Sequence, residues 1–162
     1  SRLGGEKQSS PKREAAAALT KHLADSLLAT DPDSKVIIMG DLNDDPSNRS
    51  CKTVLGAKKK QQEVQAGGYF NTMWEMFDKG IGTLAYNGSW NLFDQIIISG
   101  NLLGKDRSTL KYIRSEVFNR DFLKQKEGKC KGYPLRTHAA GVYLNGYSDH
   151  FPTLIYLAKE IK

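Results

Sequence analysis

Apolar residues in this chain gather into short runs, separated by polar, glycine- and asparagine-rich segments. Across residues 9–28, Ala16, Leu19, Leu23 and Leu27 recur at spacings of three and four, the period of one helical face. Ser9-Ser10-Pro11 predicts where that helix starts, because serine accepts an unpaired backbone N–H and proline at the first helical position has none to satisfy. Asp31-Pro32-Asp33 predicts its end. Val36-Ile37-Ile38-Met39 is then an almost unbroken apolar run stopped by Gly40, the pattern of a strand buried on both faces in an α/β layer structure.

Further along, short helices are expected over residues 48–55 and 71–77. Residues 83–86 and 92–99 read as two strands joined through Asn87-Gly88-Ser89, a somewhat irregular hairpin. Residues 110–118 partly alternate and predict another strand, residues 128–134 a loop, and Thr153 to Leu157 a closing strand behind Pro152. No repeat, low-complexity tract or long linker divides the 162 residues, which have the length of one domain with a real core.

Composition adds a tilt and several exclusions. The formal charge of +6 favours anionic partners such as nucleic acid, phospholipid surfaces or phosphorylated small molecules. Much of the excess lies in Lys58-Lys59-Lys60 and in residues 124–131, where solvated charge is the plain explanation. Aromatic residues do not interleave with these runs as a base-stacking groove requires. Cys51 and Cys130 belong to no CxxC pair, which argues against zinc or thioredoxin-like chemistry and leaves one disulfide open. No apolar stretch has membrane-span length, and Ser1-Arg2-Leu3-Gly4-Gly5 lacks a signal-peptide pattern. Should the natural chain begin upstream, secretion or a periplasmic location stays open.

Three clusters set acidic or histidine side chains against an apolar strand: Gly40-Asp41-Leu42-Asn43, Trp90-Asn91-Leu92-Phe93-Asp94-Gln95-Ile96, and Tyr147-Ser148-Asp149-His150-Phe151-Pro152. Strand ends are where layered α/β folds assemble sites. Period-2 geometry would point Asp41 and Asn43 to one side, although the same residues also serve for a simple turn after a strand. His150 can equally be a satisfied core or surface histidine. Asp94 interrupts an apolar run, and a carboxylate there costs several kcal/mol unless paired; His150 is its natural partner.

Together and in this order the clusters resemble the second half of the endonuclease/exonuclease/phosphatase family, which includes deoxyribonuclease I-like nucleases, abasic-site endonucleases, sphingomyelinases and inositol-polyphosphate phosphatases. Residues 40–43 resemble its Gly-Asp-x-Asn motif, residues 94–99 its Asp-x-Ile-x-x-Ser strand, and residues 148–152 its closing Ser-Asp-His-x-Pro. The opening Ser1-Arg2, Gly4-Gly5 and Lys12-Arg13 is similar to a segment of secreted bacterial relatives that follows a histidine-bearing strand. The resemblance implies an α/β (α+β) fold, half of a four-layer α-β-β-α sandwich, with a mixed, mainly antiparallel sheet and helices on its outer face. Residues 1–162 would be the C-terminal half of the family's domain. The family's N-terminal asparagine, metal-binding glutamate and first active-site histidine have no counterpart here.

The implied activity is metal-dependent phosphoester hydrolysis, silent in this half alone. Asp41 would orient or deprotonate the attacking water, and Asn43 would hydrogen-bond the scissile phosphate. Asp149 would hold Mg²⁺ or Mn²⁺, ions suited to hard oxygen ligands and retained waters. His150 would donate to a phosphate oxygen, with Asp94 fixing its tautomer. Arg136 is a candidate phosphate clamp, with an ordinary surface arginine as the alternative. Asp44, Asp45 and Asn48 either widen the acidic pocket or, as preferred, cap the loop; His22 and His138 carry no assignment. Half a sandwich leaves an apolar sheet face for the upstream half or a second copy to cover. The competing class is a non-catalytic anion-binding or interaction module that keeps the phosphoesterase shell. Nuclease and lipid or sugar phosphate phosphatase both remain open.

Overall fold

In a computed structural model, residues 2–161 are described; Ser1, the first residue of the opening segment, and Lys162 lie outside them. Helix α1 spans Glu6–Thr30, beginning after Gly5 rather than at Pro11, which sits inside it. The serine cap is therefore not used: the Ser9 hydroxyl donates to the Gly5 carbonyl within the first turn. The buried stripe also differs from the expected one. It contains Arg13, Ala24 and Leu28, while Leu19, Leu23 and Leu27 are exposed. An ion pair decides the rotation: Arg13 Nε lies 2.8 Å from Asp44 Oδ2, both side chains almost fully buried, and small Ala24 lets the helix approach the sheet.

That sheet has three antiparallel strands in the order β1-β5-β2, with β1 Ile37–Asp41, β2 Tyr69–Asn71 and β5 Asp94–Ser99. Central β5 carries the longest buried run of any strand, from Gln95 to Ser99. Its Ile97 faces α1 with Tyr69, Leu55 and Ala57, whereas Ile96 and Ile98 face a second core with Phe70, Met73, Leu92 and Phe151. Each such isoleucine stabilises the fold by about 1.5–3 kcal/mol. The expectation that β1 is buried on both faces does not hold. It pairs only with β5, and α1 covers only the face of Val36, Ile38 and Leu42, so Ile37 and Met39 are exposed, Met39 at 69%.

The residue 83–86 strand does not pair with 92–99. Strand β3 (Leu84–Tyr86) pairs with β4 (Ser89–Asn91), and Asn87 and Gly88, both at positive φ, form the tight two-residue turn. Asp45 intervenes: its carboxylate accepts the Leu92 N–H and the Asn91 amide, breaking the strand before β5 changes sheet. Residues 50–54 form a single π-helical turn, and the helix expected over 71–77 shrinks to α2 (Trp74–Asp78) because Tyr69–Asn71 joins the sheet.

Strand β6 (Lys111–Val117) pairs antiparallel with β9 (Thr153–Ala158), and Tyr112, Val117, Ile155 and Leu157 pack on the core of Ile96 and Ile98. Between them runs a long loop carrying the small hairpin β7 (His138–Ala139) and β8 (Val142–Tyr143). The chain is thus a mixed α+β fold of small antiparallel sheets, with one isolated parallel bridge, Lys58 to Phe70. Cys51 is buried and Cys130 exposed, both free, so the disulfide left open does not form. Among the described residues no helix is long and apolar enough to cross a membrane.

Candidate active site

The first and third clusters meet the second at one end of the β1-β5 ladder. Asp41 and Asp94 are the last register partners of that ladder. From the closing segment, His150 Nδ1 reaches Asp94 Oδ2 at 2.6 Å, both side chains about one-fifth exposed. A carboxylate partner can only accept, so the proton sits on Nδ1, which donates, and Nε2 is the nitrogen left for another partner. The Asp94 hydrogen bond raises the His150 pKa above its ordinary value against the effect of burial, and the charges of Asp94, Asp41 and Asp149 add to the rise. Four of the singled-out residues therefore share one electrostatic neighbourhood.

Backbone geometry explains how they are held. Thr83, fully buried, accepts the Phe151 N–H at its carbonyl and the Asp94 N–H at its hydroxyl, so one residue links the strand of Asp94 to the segment of His150. Nothing in sequence marks Thr83. The Ser148 hydroxyl accepts the His150 N–H. The loop after Asp41 is anchored beneath the surface: Asp44 is buried with Arg13 and takes the Ser50 hydroxyl, and its carbonyl accepts the Gln95 amide. Asp45 accepts its own two bonds, and the Asn48 amide oxygen caps the Asp45 N–H. Burial raises the Asp45 pKa, opposed by the hydrogen bonds from Leu92 and Asn91. These residues set the loop in place instead of widening the acidic pocket, the outcome preferred on capping grounds.

Asn43 departs from the alternation argument. The strand ends at Asp41, Asn43 takes a positive φ, and Asp41 Oδ1 accepts the Asn43 N–H at 2.8 Å, which is a turn and not an extended pair. Both residues nonetheless border a cavity of about 260 Å³ between α1 and β1. Asp149 is exposed, with Arg136 Nη2 3.7 Å from its Oδ2. Arg136 thus lies against the cluster and not on a remote surface. His22 is on α1, and the His138 ring packs against Tyr143 at 5.1 Å, both outside this group.

Among the described residues, no group of three or more His, Cys, Asp or Glu could hold a metal ion. The exposed carboxylates Asp41 and Asp149 are hard oxygen donors, and Mg²⁺ is commonly held by one or two carboxylates with water and substrate completing the shell. The donor chemistry fits such an ion in part.

The sequence pattern of the endonuclease/exonuclease/phosphatase family matches residues 1–159. The chain belongs to this family. Its name describes hydrolases of phosphate esters, and the match takes in all three clusters of this family member. Comparison with curated proteins and with solved structures gave no significant match.

Proposed function

We propose that this family member is the C-terminal half of a metal-dependent phosphoesterase acting on phosphodiester or phosphomonoester bonds, one half of a four-layer α-β-β-α sandwich. The observation that carries the reading is the His150–Asp94 pair flanked by Asp41 and Asp149. A phosphoryl group facing His150 would receive a hydrogen bond from Nε2, and Asp94 stabilises the imidazolium as negative charge grows on phosphate oxygen. Asp41 orients the attacking water and takes its proton, while Asn43 hydrogen-bonds the scissile phosphate. Asp149 would hold Mg²⁺ or Mn²⁺, which when bound would supply neutralisation of phosphate charge. The Arg136–Asp149 pair is exposed and long, worth at most about 1 kcal/mol, so an incoming phosphate or cation can displace it.

The site needs more chain. β1 offers an unpaired edge, and beside it Ile37 and Met39 lie bare on the face that β5 continues into the core. The upstream half of the domain, bringing a glutamate ligand, is the occupant proposed for that edge; light scattering that finds a stable homodimer of residues 1–162 would instead assign it to a second copy.

The test is hydrolysis of bis(p-nitrophenyl) phosphate by the intact protein with Mg²⁺. EDTA should abolish it, Asp149→Ala should remove it, and His150→Ala should lower kcat by about 10²–10³-fold, the range seen for loss of one oxyanion donor. The Arg136 guanidinium, a cation beside Asp149, favours one second reading, a non-catalytic anion-binding module. Anion binding without turnover in the intact protein would establish it.

A further inference from the structure

Arg2 is about forty residues from Asp41 in the chain, yet its side chain ends against the turn that follows β1. Gly4 and Gly5, both at positive φ, fold the opening segment back before α1 begins, and the Gly5 N–H donates to the Arg2 carbonyl at 2.9 Å. The guanidinium then lies 4.4 Å from the centre of the buried ring of Phe93, the residue before Asp94. Its Nε donates to the Asn43 carbonyl at 2.9 Å. Nη1 donates to Glu6 at 3.3 Å, and Nη2 lies 3.5 Å from Asp44 Oδ1.

Every nitrogen of this guanidinium faces a protein acceptor, and the side chain is only about one-quarter exposed. That is the arrangement of a tie between segments, whereas a phosphate clamp keeps two parallel donors open. What Arg2 ties down is Asn43. At φ 54° this residue has a left-handed backbone, which asparagine tolerates better than most residues but which costs energy without support. The support comes from both sides: Asp41 Oδ1 accepts the Asn43 N–H at 2.8 Å, and Arg2 bonds the carbonyl. Among the described residues the Asn43 side-chain amide has no partner, so its direction comes from the backbone alone. The Leu42 N–H donates to the Phe93 carbonyl, which laces the same turn to the strand of Asp94. Arg2 closes that lacing, since one planar group covers Phe93 and bonds Asn43.

We infer that Arg2 is a positioning residue for the proposed hydrolysis: through the Asn43 carbonyl it holds the strained turn, and with it Asp41 and Asn43, in register with Asp94. The inference rests on the phosphoesterase reading. It requires a guanidinium, because the group must stack on a ring and donate within its own plane at the same time. A lysine ammonium keeps the charge that faces Asp44 but cannot make both contacts.

The experiment combines hydrolysis of bis(p-nitrophenyl) phosphate by the intact protein with Mg²⁺ and NMR of the Asn43 backbone amide and the His150 ring. Arg2→Ala should lower kcat and kcat/KM together by about 10²-fold, the mark of lost alignment in the transition state. The Asn43 amide resonance should move, while the His150 ring resonances keep their wild-type shifts, because no Arg2 contact reaches the Asp94–His150 pair. Arg2→Lys should restore Tm and leave kcat low. Arg49→Ala, which removes an exposed cation paired with Glu14 of α1, should alter none of these. The inference is overturned if Arg2→Ala turns over at the wild-type rate, if it leaves the Asn43 amide unmoved, if the His150 ring shifts with it, or if Arg2→Lys recovers kcat along with Tm. A wild type that hydrolyses nothing refutes the phosphoesterase reading, and the tie on Asn43 is then decided by the amide resonance alone.

Discussion

Replacing Asp94 by asparagine changes one atom and removes one charge, and the 2.6 Å contact to His150 makes the consequence calculable. A hydrogen bond with a charged partner stabilises by about 1.5–3 kcal/mol and a neutral one by about 0.5–1.5 kcal/mol, so the substitution should cost about 1 kcal/mol when His150 is protonated. Neither side chain is more than about one-fifth exposed, so water screens the pair only partly. The folded pKa of His150 is raised above its unfolded value. Its contribution is therefore complete below about pH 6.5, the unfolded value, and is lost as pH rises through the folded one. Asp94→Asn should lower Tm by about 2–4 °C near pH 5.5 and by less at pH 9, where the imidazole is neutral and no ion-pair attraction is left to remove. Calorimetric melts across this range, with NMR titration of the His150 ring, measure both effects. A destabilisation equal at the two pH values, or a His150 midpoint unchanged in the variant, would refute the pairing argument.

Asp44→Ala should destabilise far more, by about 3–5 kcal/mol in urea unfolding, because it leaves the buried Arg13 guanidinium without its carboxylate; a loss under about 1 kcal/mol would show that the pair is not buried in solution. Gly146→Ala should lower Tm and shift the Arg136 backbone resonances, since a Cβ there would overlap the carbonyl oxygens of Leu135 and Arg136. An unshifted spectrum would mean that the loop gives way freely. Burial pushes the Cys51 thiol up to about 11, so at pH 8 Ellman's reagent should react promptly with exposed Cys130 and slowly with Cys51; two equally fast thiols would contradict the packing around Cys51.

The partner of Asp94 is legible in the chain itself, because a carboxylate set in the run from Leu92 to Ile98 needs a cation or donor and His150 sits at another strand end. The closing strand is legible for a similar reason, its burial following local alternation, whereas in β6 an irregularity between Tyr112 and Arg114 breaks the alternation that the sequence only partly shows. Helix α1 shows where local reading stops. Its leucines have helical period, yet the stripe that is buried runs through Arg13 and Ala24, since a buried ion pair to Asp44 outweighs the leucine pattern in setting the rotation. Thr83 and Gly146 carry no signal at all in one sequence, because what they do depends on backbone that lies far away along the chain.

What the sequence alone determined was chemical type and order: three polar clusters at strand ends, an acid–histidine pair and a basic surplus, each dictated by which side chains an apolar run can tolerate. Tertiary structure decided the rest. It turned β1 into an edge strand, moved β5 into a different sheet from β4, and set Arg136 and Tyr86 beside Asp149. Those outcomes depend on long-range pairing and burial, which arise only when segments distant in the chain compete for the same neighbours.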